Sequence, residues 1–152
     1  MGWSKEKKIA IVGVGNLLLK DEGVGVHVVQ ELQRRHLPSN ILVIDGGTSP
    51  DALAFVGEID KLIIIDAVRG GGEAGTIYRL SPNDIDQPDR NPMSLHEWEL
   101  MDSLKLSSYW TEGTEVVIIG VEPAEMEWGL ELSAEMKARI PRIIQVVLEE
   151  VC

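Results

Sequence analysis

Glu22, Asp66 and His96 are the side chains of this sequence best suited to grip a metal ion together. Two carboxylates and an imidazole form an N/O donor set of intermediate hardness. Such a set suits nickel, zinc, cobalt or iron(II) better than copper(I), which favours thiolates. An open coordination position would admit water or a substrate. The spacing is long and no His-Glu-x-x-His pattern is present, so each residue also has an ordinary role open to it. Asp21 and Glu22 can favour the start of a following helix through its dipole. Asp45 and Asp66 can accept backbone N–H groups at strand ends. His96 can be a plain surface or core residue, and His27 and His36 read as structural.

The surroundings of Glu22 raise a second chemistry. "GVGNLLLKDEGVGVHVV" (13–29) begins like a nucleotide-binding turn, with Gly13 and Gly15 after a short apolar run. Asp45, at the end of the next apolar run, stands where a ribose-binding acid would. Leu18, however, occupies the position of the third glycine of G-x-G-x-x-G. Asp21 and Glu22 would also face the pyrophosphate, each at a Coulomb cost on the order of 1 kcal/mol or more. Nucleophilic catalysis has little support: Ser4, Ser94 and Ser133 lack a G-x-S-x-G elbow. Cys152 ends the chain, with nothing there to hold a base.

The elements that must position these residues follow from the apolar pattern. Strands are expected at 8–15, 40–47, 60–68, 76–81 and 115–123, and helices at 23–36, 49–59, 94–106 and 133–151. Ser49 and Pro50 suit a helix start, and Pro141 should kink the last helix. Residues 69–75 and 82–92 read as loops, and 76–81 as an edge strand. Alternation of this kind implies an α/β domain with a mainly parallel sheet and helices on both faces. Ligands of such sheets bind beyond the carboxyl ends of the strands. Asp21, Glu22, Asp45, Asp66 and Glu122 would all crowd that rim.

Composition narrows the partners. The 152 residues carry a formal net charge of −11, which repels a phosphate backbone and favours a cation or a basic peptide. Neither nucleic acid nor membrane insertion is expected, since the longest apolar runs are too short to span a bilayer. One cysteine permits no internal disulfide and no cysteine-based metal cluster. The opening "MGWSKEKK" has no signal-peptide character, so a reduced cytoplasmic setting is the expectation.

Taken together, "GVGNLLLKDEGVG" (13–25), "VIDGGT" (43–48), "LIIIDAV" (62–68), "SLHEWEL" (94–100) and "IIGVEP" (118–123) resemble the hydrogenase maturation endopeptidases, in order and over nearly the whole chain. The resemblance implies a three-layer fold over one domain, 1–152. Its sheet would be twisted, five-stranded and mostly parallel, with 76–81 antiparallel and helices on both faces. It implies an enzyme that trims the C-terminal peptide from a nickel-loaded [NiFe]-hydrogenase large-subunit precursor. Glu22, Asp66 and His96 would contact nickel carried by the precursor. Asp45, Gly46, Gly47 and Thr48 would help select it, and Asp21 is a candidate general base. The protein is expected to act as a monomer. A metal- or small-molecule-binding module without peptidase activity is the competing reading.

Overall fold

The computed structural model describes residues 7–47, 59–81, 93–94 and 114–151. The described elements include, in chain order, strand β1 (Ile9–Val14), helix α1 (Val24–Gln33), strands β2 (Ile41–Gly47), β3 (Lys61–Arg69), β4 (Ile77–Leu80), β5 (Met93–Ser94) and β6 (Glu115–Val121), and helix α2 (Ala134–Val151). The main sheet runs β2-β1-β3-β6-β4. All its pairings are parallel except β4 with β6. This is the mostly parallel five-stranded sheet with one antiparallel strand that the sequence led us to expect.

Burial follows position in the sheet. Central β1 and β3 read "IAIVGV" and "KLIIIDAVR", and they are buried on both faces from Ile9 to Val14 and from Leu62 to Val68. That is the near-continuous apolar pattern of a covered parallel strand. Edge strands β2 and β4 are only partly covered. On one face Ile11, Ile63, Ile65 and Ile119 pack with Val24, Val28 and Leu32 of α1 and Met136, Ile143 and Val147 of α2. Burying such a side chain contributes roughly 1.5–3 kcal/mol, so this cluster ties both helices to the sheet. The other face is covered as well, with Ala10, Val12, Leu62 and Ile64 at most 1% exposed.

Helix α2 continues through Pro141 to Val151. The helices expected at 49–59 and 94–106 lie outside the described residues, apart from their end residues Ile59 and Ser94. Ser94 is not helical. With Met93 it pairs antiparallel to Val68 and Arg69. The reason is that β3 outruns its neighbours: pairing with β1 ends at Ile65 and with β6 at Ala67. The last residues of β3 therefore need another partner for their backbone groups.

Candidate active site

The rim at the carboxyl ends of β1, β3 and β6 is built around a one-turn 3-10 helix, Lys20–Gly23. The chain reaches it from β1 through Asn16, whose Oδ1 accepts the N–H of Leu18 at 2.9 Å. A parallel bridge joins Leu19 to Gly129. The N–H of Gly129 donates to Leu18 O at 2.8 Å, and that of Lys20 to Gly129 O at 3.0 Å. Lys20 has φ +44°, the one positive value among the described non-glycine residues. A backbone held in that sparsely populated region stores roughly 1–3 kcal/mol and persists only where its surroundings fix it. Here it sets the orientation of the two residues that follow, Asp21 and Glu22.

Two glycines explain how close this turn comes to the sheet. A Cβ on Gly15 would lie 2.1 Å from the carbonyl oxygen of Glu22, and one on Gly25 would lie 2.1 Å from that of Ile65. Any side chain at either position would push the turn away. The turn thus packs on β3. Gly13 and Gly15, which looked like a phosphate loop, serve backbone contact instead: a Cβ on Gly13 would lie 2.2 Å from the carbonyl oxygen of Gly25. Glu22 is 7% exposed and Asp66 1%. Asp66 Oδ1 accepts the N–H of Ala67 at 2.8 Å.

Asp21 has a different environment from its neighbour. It is fully buried. Its Oδ2 accepts the N–H groups of Ala124 and Glu125 at 2.8 and 2.9 Å and the hydroxyl of Ser133 at 2.7 Å. Its Oδ1 accepts the N–H of Ser133 at 2.8 Å. Ser133 in turn caps α2, its Oγ accepting the N–H of Met136 at 3.3 Å. One carboxylate therefore fixes both ends of the 124–133 loop against the turn that carries Glu22. Four donors occupy the lone pairs that a general base would need for its substrate. Asp21 is built to position.

Glu122 does the same for the next loop. It is 8% exposed, and its Oε1 accepts the N–H groups of Gly70 and Gly72 at 2.7 and 3.2 Å and the hydroxyl of Tyr78 at 2.7 Å. Burial, then the bond to Glu122, raises the Tyr78 phenol above its ordinary pKa. The rim is thus not an open ring of five acids. Asp21, Glu22, Asp66 and Glu122 are buried, and Asp45 is exposed with its Oδ1 accepting the N–H of Gly47 at 3.0 Å. Gly46 is buried, and Gly47 turns the chain at φ +51°. Thr48 and His96 lie outside the described residues.

His27, on α1, is partly buried, and its Nε2 has no hydrogen-bond partner among the described residues. Burial lowers its pKa, against the opposing pull of Asp21 and the Leu130 carbonyl. Among the described residues no three His, Cys, Asp or Glu side chains gather as a metal site. The pair that the sequence nominated, Glu22 and Asp66, supplies hard oxygen donors at adjoining elements of the rim. Such donors fit a divalent ion when a third ligand completes the set. What sequence reading missed was the holding role of Asp21 with Ser133. Its partners lie 103 to 112 residues further along the chain than Asp21, with no local motif to betray them.

Comparison with known proteins gives this arrangement a family context. The family model HycI, described as hydrogenase maturation protease, matches residues 26–150. The coenzyme F420 hydrogenase subunit delta of Methanothermobacter thermautotrophicus is 33% identical, over 96% of this chain and 96% of its own. Two solved structures share the fold. The hydrogenase maturating endopeptidase HybD from E. coli aligns with a TM-score of 0.81 at 30% identity, covering 95% of this chain and 91% of its own. The [NiFe] hydrogenase maturation protease HybD from Thermococcus kodakarensis aligns with a TM-score of 0.83 at 26% identity, covering 95% and 99%.

Proposed function

This chain belongs to the hydrogenase maturation protease family, and from that premise we propose that it senses nickel in its substrate through Glu22, Asp66 and His96 before cutting the substrate's C-terminal tail. The activity is that of an endopeptidase, a peptide hydrolase that processes a hydrogenase large subunit. Nickel, in this reading, is cargo of the precursor. The observation that carries it is the pair of buried carboxylates where a 3-10 turn packs on β3. Two carboxylates on adjoining elements of one rim supply hard oxygen donors of the kind a divalent cation takes.

His96 would complete the set in this proposal as its imidazole nitrogen donor. Ser94 pairs with Val68, two residues beyond Asp66. His96 follows Ser94 by two positions in the chain. When bound, the metal would polarise a carbonyl or a water molecule. The protein's own residues would orient the precursor. Glu22 and Asp66 would grip the cation, Asp21 would hold the turn beneath Glu22, and Asp45 to Thr48 would contact the tail beyond it. The formal charge of −11 suits a basic tail. No helix among the described residues is long and apolar enough to cross a membrane. Action as a monomer in the cytoplasm, on a precursor that is itself loaded there, completes the proposal.

The test compares nickel-loaded and nickel-free precursor, with loss of mass at the precursor's C-terminus as the readout. Cleavage of the loaded form alone is expected. Cleavage of both would overturn nickel sensing, and cleavage of neither would overturn the processing of that precursor.

A further inference from the structure

Three large apolar side chains stand in water on the two loops that Asp21 holds together. Trp128 is 77% exposed, Leu130 67% and Leu18 49%. The bridge between Leu19 and Gly129 sets Leu18 alongside Trp128 and Lys20 alongside Leu130. The Lys20 stem lies over Gly129, where an added Cβ would meet its Cγ and Cε at 3.0 Å. These loops are tied down. Asp21 accepts from Ala124, Glu125 and Ser133, and Lys20 Nζ reaches Glu125 at 3.3 Å. A fully buried, fully bonded carboxylate thus fixes a loop whose most prominent side chains face solvent. Tryptophan is among the side chains enriched at the energetic centres of protein interfaces.

Resting on the reading above, we propose that Leu18, Trp128 and Leu130 form the docking surface for the body of the large-subunit precursor, gripping an apolar side chain flanked by basic residues. Charge and continuity identify this occupant. From Pro123 to Glu135 the sequence carries four glutamates and no lysine or arginine, and Glu125, Glu127 and Glu131 around the patch are exposed. That rim favours a cationic surface and repels a second copy of this acidic chain. The patch offers roughly 400 Å² of apolar surface, about half of what one partner contributes to a stable interface of standard size. It therefore works with a neighbouring contact, and the Glu22 turn is joined to it directly through Lys20 and Asp21. A precursor anchored at Trp128 would present its tail to Glu22.

The experiment measures kcat and KM for nickel-loaded precursor with wild type, with Trp128→Ser and with Trp128→Ser combined with Leu130→Ser. Expected is a KM raised about tenfold in the double variant, with kcat within about twofold and an unchanged thermal midpoint. An unchanged KM beside active wild type would overturn docking here. So would a fall in kcat at constant KM, which would mean that the loop only shapes the site. A wild-type dimer in light scattering that the double variant splits would assign the patch to a second copy and overturn the proposal. Wild type that cleaves no precursor would overturn the functional reading itself and the docking surface with it.

Discussion

Glu122 and Glu150 are both glutamates held by several donors, at different regions of the sheet, and the donors differ in kind. Glu122, beyond the carboxyl end of β6, accepts from two backbone N–H groups and a tyrosine hydroxyl. Glu150, at the end of α2, accepts from the Arg79 guanidinium and from Lys61, whose Nζ also lies 3.8 Å from Glu115 at the amino end of β6. Neutral donors fix a carboxylate without cancelling its charge, whereas cations do both. Asp21 follows the Glu122 pattern. The two regions thus treat their acids differently. One neutralises them for stability, and the other orders them and keeps the region attractive to a cation.

The largest effect expected from this contrast is on activity. Glu22→Gln preserves shape and removes the charge, and cleavage of nickel-loaded precursor should fall by at least about 100-fold. The thermal midpoint should stay within a few degrees of wild type. Glu150→Gln, assayed in parallel, should cleave at the wild-type rate. Equal activity in both variants would remove Glu22 from the site and erase the functional side of the contrast.

Next comes a stability effect at the same rim. Asp21→Ala leaves three N–H groups and the Ser133 hydroxyl without their acceptor in a buried place. Breaking a buried charged network in this way costs about 3 kcal/mol or more. Urea unfolding would measure it. A loss below about 1 kcal/mol would mean that water replaces the carboxylate and that Asp21 does not hold the loop.

How much of this could be read from the amino acids depends on the distance between partners. Strand identity came through because β1, β3 and β6 are apolar runs rich in β-branched residues, and β4 as an edge strand because it alternates, while its antiparallel direction came from the family resemblance. Glu22 and Asp66 were legible as acids at strand ends. Their burial was not, because it depends on Gly15 and Gly25 letting the turn sink onto the sheet. Nor was the role of Asp21, since Glu22 beside it looks equivalent in sequence while only Asp21 meets Ser133. Ser94 was misread as a helix start because its pairing is dictated by the length of β3, a property of a distant segment. The exposed Trp128 carries no periodic signal in its short loop.

A smaller effect tests the Glu122 network alone. Tyr78→Phe removes one hydroxyl that both donates to Glu122 Oε1 and accepts from Gly72 N–H at 3.0 Å. Glu122 keeps two backbone donors, so the expected loss is about 1 kcal/mol in urea unfolding. A loss of 3 kcal/mol would show that the phenol, rather than the backbone, holds the loop.

The smallest effect is expected at Glu150, and its pH dependence is the sharpest check on the contrast. The Arg79 hydrogen bond, aided by Lys61 and opposed by burial, holds the Glu150 carboxyl below its ordinary pKa of 4.5. A depressed carboxylate stabilises the fold fully above the unfolded value, and that contribution fades as pH falls through the folded one. Arg79 is 58% exposed on its side chain, so solvent screens the pair and the contribution at neutral pH should stay below about 1 kcal/mol. The stability gap between wild type and Glu150→Gln should therefore be largest near pH 7, narrow below about pH 4.5, and shrink in 1 M salt, where the screening length is about 3 Å. A gap that is constant in acid and in salt would mean that Glu150 works through packing of its stem. Cationic neutralisation would then no longer separate it from Glu122, and only the burial of the acids at the carboxyl-end rim would distinguish the two regions.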